Sequence, residues 1–385
     1  MTPNLLWRPA TYLFGGGGMR GGIAYATAVD EFEKHTGVHS CGANRDVRCF
    51  RGTSVGAIAA LMCCCHFTTS EMVSATQYAT AENVLGASLA SIAWRTGFDS
   101  GAKLRGWLST LMGAKLGIDP YVASQVSLEE LRTMTGGTLI VYATNLVRGE
   151  YMEIGPDTHP HIPAILAVYA SAALPPVYVP VHNIPMPTGE ATVLCDGGLT
   201  LNYPYLQGRI DCASTIGFAV RWSASSTDSL SSFQNYFSRV LNVAAGSGDE
   251  HLRKAMPKRM RDNTCVIDVG DVSVANFWIP KERADVIRAC SRKCTHDWVQ
   301  GWMPNNNNQH MRPIHVLLHR GRPQIPTSNG ATAAMVAAKM AVAACGAACG
   351  AACGAACGAA CGAAERSQTN SRREENRDGH HSTDE

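Results

Sequence analysis

One pattern, met twice near the start of this 385-residue chain, narrows its fold more than any other feature. A short apolar run at Thr11–Phe14 meets four glycines at 15–18. Beyond them Ile23, Ala26, Val29 and Phe32 recur at near-helical spacing, with Gly37 as a helix stop. The pattern then repeats: DVRCFR (46–51) reads as a strand, GTSVG (52–56) as a tight turn, and AIAALMCCCHF as an apolar helix. Strand, turn and helix in direct succession imply parallel strands joined by helical crossovers, an α/β fold. Such a sheet is covered on both faces, and 45% hydrophobic against 17% charged residues supplies the apolar side chains it needs. Further strands are expected at 138–145, 192–195, 214–222 and 263–270. Helices are expected at 127–136, where Ser127 and Glu130 form a capping box, and at 160–173, ended by Pro175 and Pro176.

Three motifs carry chemistry. In the first, Ser54 lies between Gly52 and Gly56, where strand turns sharply into helix; such a turn thrusts a hydroxyl out of the sheet, and side chains beside it would collide with the flanking elements. The second is the loop Gly15–Gly22. Backbone N–H groups free of side chains, at the start of a helix, stabilise the oxyanion formed when serine attacks an ester; Arg20 adds a cation that either tunes this field or braces the loop. The third is Asp196-Gly197-Gly198 at the end of a strand, where an aspartate can take the serine proton directly. Gly16, Gly18 and Gly21 also match a dinucleotide-binding fingerprint. That reading requires an acidic residue at the end of the second strand, and the chain has Arg51 and GTSVG there instead. No Gly-Lys-Ser/Thr follows to make a P-loop.

Together the motifs resemble the patatin-like phospholipase family, whose oxyanion loop G-G-G-x-R-G is reproduced by Gly16–Gly21, nucleophile motif G-T-S-x-G by Gly52–Gly56, and D-G-G motif by Asp196–Gly198. SLEELRTMTG…LIVYATNL, ASAALPPVYVP (170–180) and DGGLTLNYP (196–204) look like further landmarks. The resemblance covers residues 11–220 well and thins toward 320. It implies a three-layer α/β/α fold with a central mixed sheet. It also implies Ser54 as nucleophile, Asp196 as base, the Gly16, Gly17 and Gly18 amides as oxyanion hole, and Arg20 and Gly21 as support of that loop. The expected activity is hydrolysis of fatty-acyl esters in glycerophospholipids or lysophospholipids, with no cofactor and no metal. A neutral-lipid lipase, or a catalytically idle lipid- or protein-binding module on the same fold, are the alternatives.

Other readings compete for particular residues. A Ser-Asp-His triad would draw on His251, His296, His310, His315 or His319, none of which sits in a motif. Cys290, Cys294 and His296 have helical spacing for a metal, yet lack a fourth ligand and read more simply as ordinary helix residues. Five of the fifteen cysteines belong to a CGAA repeat and three are adjacent at 63–65; with no secretory signal pattern at the N-terminus, the thiols read as reduced and the compartment as intracellular and cytoplasmic. The net charge of +2 gives no field for nucleic acid, and no nucleic-acid partner is expected. Residues 251–322 nevertheless hold 13 Lys and Arg against 6 Asp and Glu, with Arg253, Lys254, Lys258, Arg259 and Arg261 clustered. With Trp278, Trp298 and Trp302 this segment is a candidate for peripheral membrane contact, the plainer reading being a solvated basic face over core tryptophans. The organisation expected is a hydrolase domain at 1–325, an Ala/Cys/Gly repeat at 326–364 and a disordered charged tail at 365–385.

Overall fold

The computed structural model describes residues 8–79, 81–86, 97–184, 190–205, 210–221, 256–270 and 279–308. Two units are delimited, Met1–Arg312 and Pro313–Glu385, and every described residue lies in the first. The expected boundary near 325, the CGAA repeat and the tail fall outside the described residues, as do Arg253, Lys254, Trp278, His251, His310, His315 and His319.

The chain runs β1 (Thr11–Phe14), α1 (Gly18–Thr36), β2 (Cys49–Thr53), α2 (Val55–Cys64), α3 (Thr69–Tyr78), α4 (Ala81–Val84), α5 (Ala102–Leu116), α6 (Pro120–Gln125), α7 (Leu128–Thr135) and β3 (Thr138–Asn145). It continues through β4 (Glu150–Ile154), α8 (Ala164–Ala172), β5 (Val181–His182), β6 (Val193–Asp196), a 3-10 turn (Gly197–Leu199), β7 (Thr215–Arg221), α9 (Lys258–Asp262), β8 (Thr264–Asp268) and α10 (Lys281–Asn308). The strands form one mixed sheet of eight, ordered β5-β6-β3-β2-β1-β7-β8, with β4 also paired to β3. β1, β2, β3, β7 and β8 are mutually parallel, while β4 and β6 run antiparallel to β3. The helices flank it as a three-layer α/β/α fold.

Alternation along β1 shows how the layers arise. Tyr12 and Phe14 enter the larger core, where Phe14 stacks on Phe218 at 5.5 Å between centroids and Tyr12 meets Phe218 edge-on, also at 5.5 Å. Leu13, between them, points to the opposite face and packs with Tyr203, Tyr205, Met256 and Met260. Helix ends follow local chemistry: Gly37 and Gly136 close α1 and α7 in the left-handed conformation, and Ser127 and Glu130 form the capping box at the start of α7. The second strand begins three residues later and ends two later than its sequence pattern suggests, since it pairs from Cys49 with Thr11 of β1 and reaches Thr53 opposite Tyr142 of β3. Likewise α8 begins only at Ala164, since Pro163, extended at φ −56° and ψ 129°, sits at its start. The ten cysteines among the described residues are free thiols, with Cys63, Cys64 and Cys65 buried at the end of α2. Among the described residues no helix is long and apolar enough to cross a membrane.

Candidate active site

Strand β3 is the template on which the site is assembled. β2 pairs with its residues Thr138–Tyr142, ending at Thr53 opposite Tyr142; β6 pairs with Ala143–Asn145, ending at Asp196 opposite Ala143. The residue after Thr53 is Ser54, so the register sets the two functional side chains side by side. Ser54 Oγ donates to Asp196 Oδ2 at 2.6 Å across 142 residues of sequence. No histidine intervenes: His296, the one triad candidate among the described residues, instead contacts His35 and Glu31.

Ser54 stands at φ 56° and ψ −128°, a conformation that L residues rarely adopt. Such strain is held in place by surrounding packing. Both motif glycines are needed for that packing. A Cβ on Gly52 would run into the Gly56 backbone, and one on Gly56 would lie 2.6 Å from the Phe14 carbonyl oxygen. The Ser54 N–H donates to Ser171 Oγ at 3.0 Å, and Ser171 Oγ donates to the Tyr142 carbonyl at 2.5 Å, tying the turn to α8 and β3 together.

Asp196 is 4% exposed. Burial pushes its carboxyl up to about 6, against the opposing effect of hydrogen bonds from Ser54 and from the Gly198 N–H, which reaches Oδ1 at 2.7 Å. Its own carbonyl accepts from Thr144 Oγ1 at 2.8 Å, and its N–H donates to Ala173 C=O at 2.9 Å. The carboxylate is therefore fixed in orientation and poised near neutrality as a proton acceptor.

The glycine loop departs from expectation at one position. The Gly16 N–H donates to Asn202 C=O at 2.8 Å, so this amide is engaged by the backbone and does not serve as an oxyanion donor. What requires glycine there is close approach: a Cβ would collide with the Asn202 side chain and lie 3.4 Å from Ser54 Cβ. Gly17 and Gly18 do face the same cavity as Ser54, and Met19 joins them. They stand at the start of α1, where N–H groups have no partner within the helix. Gly18 has φ 59°, the left-handed region that favours glycine. Arg20 braces this loop. Its side chain is fully buried, burial lowers its pKa to about 9, and its Nε donates to Gly17 C=O at 3.1 Å. Because peptide C=O and N–H point in opposite directions, that bond turns the Gly18 N–H away from Arg20. Gly21 fits against Val55, whose Cγ1 would lie 2.9 Å from a Cβ there. Gly197 and Gly198 are similarly confined, by Tyr142 C=O and by Asp196 Oδ1 at 3.0 Å.

Ser54, Asp196 and the loop open on an apolar cavity of about 110 Å³. Its walls come from α2 to α5 and the segment after α8, including Met62, Met72, Val84, Leu104, Trp107 and Tyr178. The sequence marked the glycines, serine and aspartate but assigned nothing to Ser171, Asn202 or this wall. Ser171 could have been noticed as the one hydroxyl in the small-residue run before Pro175.

Of the tryptophans described in the basic segment, Trp302 is buried in the core and Trp298 is half-buried against it. Trp302 is 4% exposed, donates Nε1 to Asn263 Oδ1 at 2.9 Å, and stacks on Trp298 at 5.5 Å. Both rings lie against Phe32 of α1, at 5.9 Å. Their ring faces pack against α1, in line with the plainer reading of core tryptophans under a basic face. In the basic cluster, Lys258 pairs with Asp262 at 2.7 Å.

Comparison with known proteins agrees with this architecture. The family model described as patatin-like phospholipase matches residues 12–208. Among solved structures, VipD from Legionella pneumophila is similar with a TM-score of 0.54 at 15% identity, over 80% of this chain and 71% of that one. ExoU from Pseudomonas aeruginosa, solved in complex with SpcU, is similar with a TM-score of 0.42 at 15% identity, over 77% of this chain and 53% of that one. No curated protein matches the chain. With more than half of its length matched by the family model, and with the fold already described, the chain belongs to the patatin-like phospholipase family.

Proposed function

We propose that the chain hydrolyses fatty-acyl esters of glycerophospholipids or lysophospholipids, with Ser54 as nucleophile and Asp196 as base. The observation that carries this reading is the 2.6 Å bond from Ser54 Oγ to a buried carboxylate at the edge of an apolar cavity. The acyl chain lies among Met62, Met72 and Leu104, leaving the ester carbonyl above Ser54. Oγ attacks the carbonyl carbon while its proton passes to Asp196 Oδ2. The negative charge that develops on the carbonyl oxygen is met by the Gly17 and Gly18 N–H groups and by the positive end of α1. Collapse of the tetrahedral intermediate breaks the bond to the glycerol oxygen, which takes the proton back from Asp196. A water then gives its proton to Asp196 and attacks the acyl-serine, and collapse frees the fatty acid as Ser54 Oγ takes the proton back from Asp196.

The family's character as lipid acyl hydrolases supports a lipid ester substrate met at a bilayer surface, and the free thiols support a reducing, intracellular and cytoplasmic setting. The test is incubation of the purified chain with phosphatidylcholine, lysophosphatidylcholine and triacylglycerol, with products identified by mass spectrometry. Free fatty acid is expected from the phospholipids and much less from triacylglycerol. Equal release by a Ser54→Ala protein, or release from triacylglycerol alone, would reject the reading.

A further inference from the structure

Helices α1 and α10 pack along each other at a distance from the hydrolytic site, and three potential metal ligands meet in their seam. Glu31 and His35, four residues apart on α1, face His296 of α10; among the described residues this is the one group of three or more His, Cys, Asp or Glu side chains converging in this way. His35 Nε2 lies 2.7 Å from Glu31 Oε1, His296 Nδ1 lies 3.3 Å from the same oxygen, and the two ring nitrogens are 3.1 Å apart. Cys290 and Cys294, grouped with His296 on sequence spacing alone, are not part of the cluster.

We propose that this seam binds a divalent transition-metal ion of the zinc type, held by Glu31, His35 and His296. The donor set, two imidazole nitrogens and one carboxylate oxygen, suits such an ion. The spacing suits it too. Ligands at 2.0–2.1 Å in a tetrahedron stand ~3.3 Å apart, and two of the three separations are already 3.1 and 3.3 Å. A small rotation of His35 away from Glu31 completes the set. The Glu31 side chain is only 6% exposed, and an ion would supply the positive charge that a buried carboxylate needs. Arg292 Nε lies 3.9 Å from the other carboxylate oxygen, Oε2. His296 is 45% exposed, which gives the ion a way in and leaves the fourth position to water.

The ion would act as a clip. It joins residues 261 apart in sequence, and a link that closes so long a loop restricts the unfolded chain strongly. It would take no part in ester hydrolysis. Glu31 lies thirteen residues along α1 from Gly18, ~20 Å at 1.5 Å per residue. The site therefore stands or falls independently of the reaction proposed above.

The experiment strips the full chain with a chelator and equilibrates it with Zn²⁺ and, separately, with Co²⁺. Bound metal is measured by atomic emission for wild type, His35→Ala and His296→Gln. One Zn²⁺ per chain is expected, bound at least tenfold more weakly by each variant, with visible Co²⁺ bands and no sulfur-to-metal charge transfer. Absence of bound ion, equal affinity in a folded variant, or a thiolate charge-transfer band would overturn the proposal. Should His35→Ala fail to fold, His296→Gln, altered at a half-exposed side chain, decides by itself.

Discussion

The N–H of Ser54 is held 3.0 Å from the hydroxyl of Ser171, whose bonds among the described residues go to Ser54 and Tyr142 and not to Asp196 or the glycine loop. Ser171 is fully buried and its hydroxyl also serves the Tyr142 carbonyl. Replacing it by alanine leaves a donor and an acceptor unsatisfied, at ~1–3 kcal/mol each. Ser171→Ala should lower the thermal midpoint by several degrees and reduce kcat about tenfold with little change in KM, as Ser54 drifts from its strained conformation. Steady-state kinetics beside a melting curve check this, and Ser171→Thr should restore part of kcat if the hydroxyl is what matters.

If Asp196 is the base we propose, it must be ionised to act, so kcat/KM should fall tenfold per pH unit below about 6, where burial places its carboxyl. The same shift costs stability. The folded protein holds this proton up to about 6, whereas the unfolded chain releases it near 3.8. The stability it contributes is complete below that lower value and is lost as pH rises through 6. The gap corresponds to ~3 kcal/mol at neutral pH. Asp196→Asn should therefore abolish measurable turnover and raise the melting temperature at pH 7, with the gain vanishing near pH 4.

Strain at Ser54 makes a second case of the same kind. A glycine at φ 56° has no Cβ to clash, so Ser54→Gly should stabilise the fold by ~1 kcal/mol. It should also eliminate labelling by a fluorophosphonate probe, as should Ser54→Ala. Labelling that persists in both variants would place the nucleophile elsewhere.

In the loop, a Cβ on Gly17 would strike the Val220 side chain. Gly17→Val should displace the first turn of α1 and cost ~3 kcal/mol in transition-state stabilisation, about what one oxyanion donor is worth. The loss should appear in kcat, with fluorophosphonate labelling slowed in proportion.

Residues whose role is set by the backbone they sit in were legible in the sequence. Gly52, Ser54 and Gly56 announce a turn too tight for side chains, and the structure shows the collisions that those glycines avoid. Asp196 was legible for a similar reason, as an aspartate at the end of a strand leading into two glycines. Residues whose role depends on a distant partner were not. Gly16 is indistinguishable from Gly17 in the run of four glycines, and only the fold brings Asn202 C=O to its amide. Trp298 and Trp302 carry rings equally suited to lipid and to core; the choice is made by which face of α10 meets Phe32. His35 and His296 are unremarkable until the same two helices are laid together.

The handover on β3, from β2 at Tyr142 to β6 at Ala143, bears on how substrate gets in. The Ser54 N–H is bonded to Ser171 Oγ of α8 and the Asp196 N–H to Ala173 C=O just beyond it, so parting Ser54 from Asp196 would require α8 to move off the sheet. The cavity, by contrast, is roofed by α3, α4 and α5, whose opening would break no strand pairing. Breathing, and with it the gating of lipid entry, should then belong to that helical roof, while the reacting pair stays still.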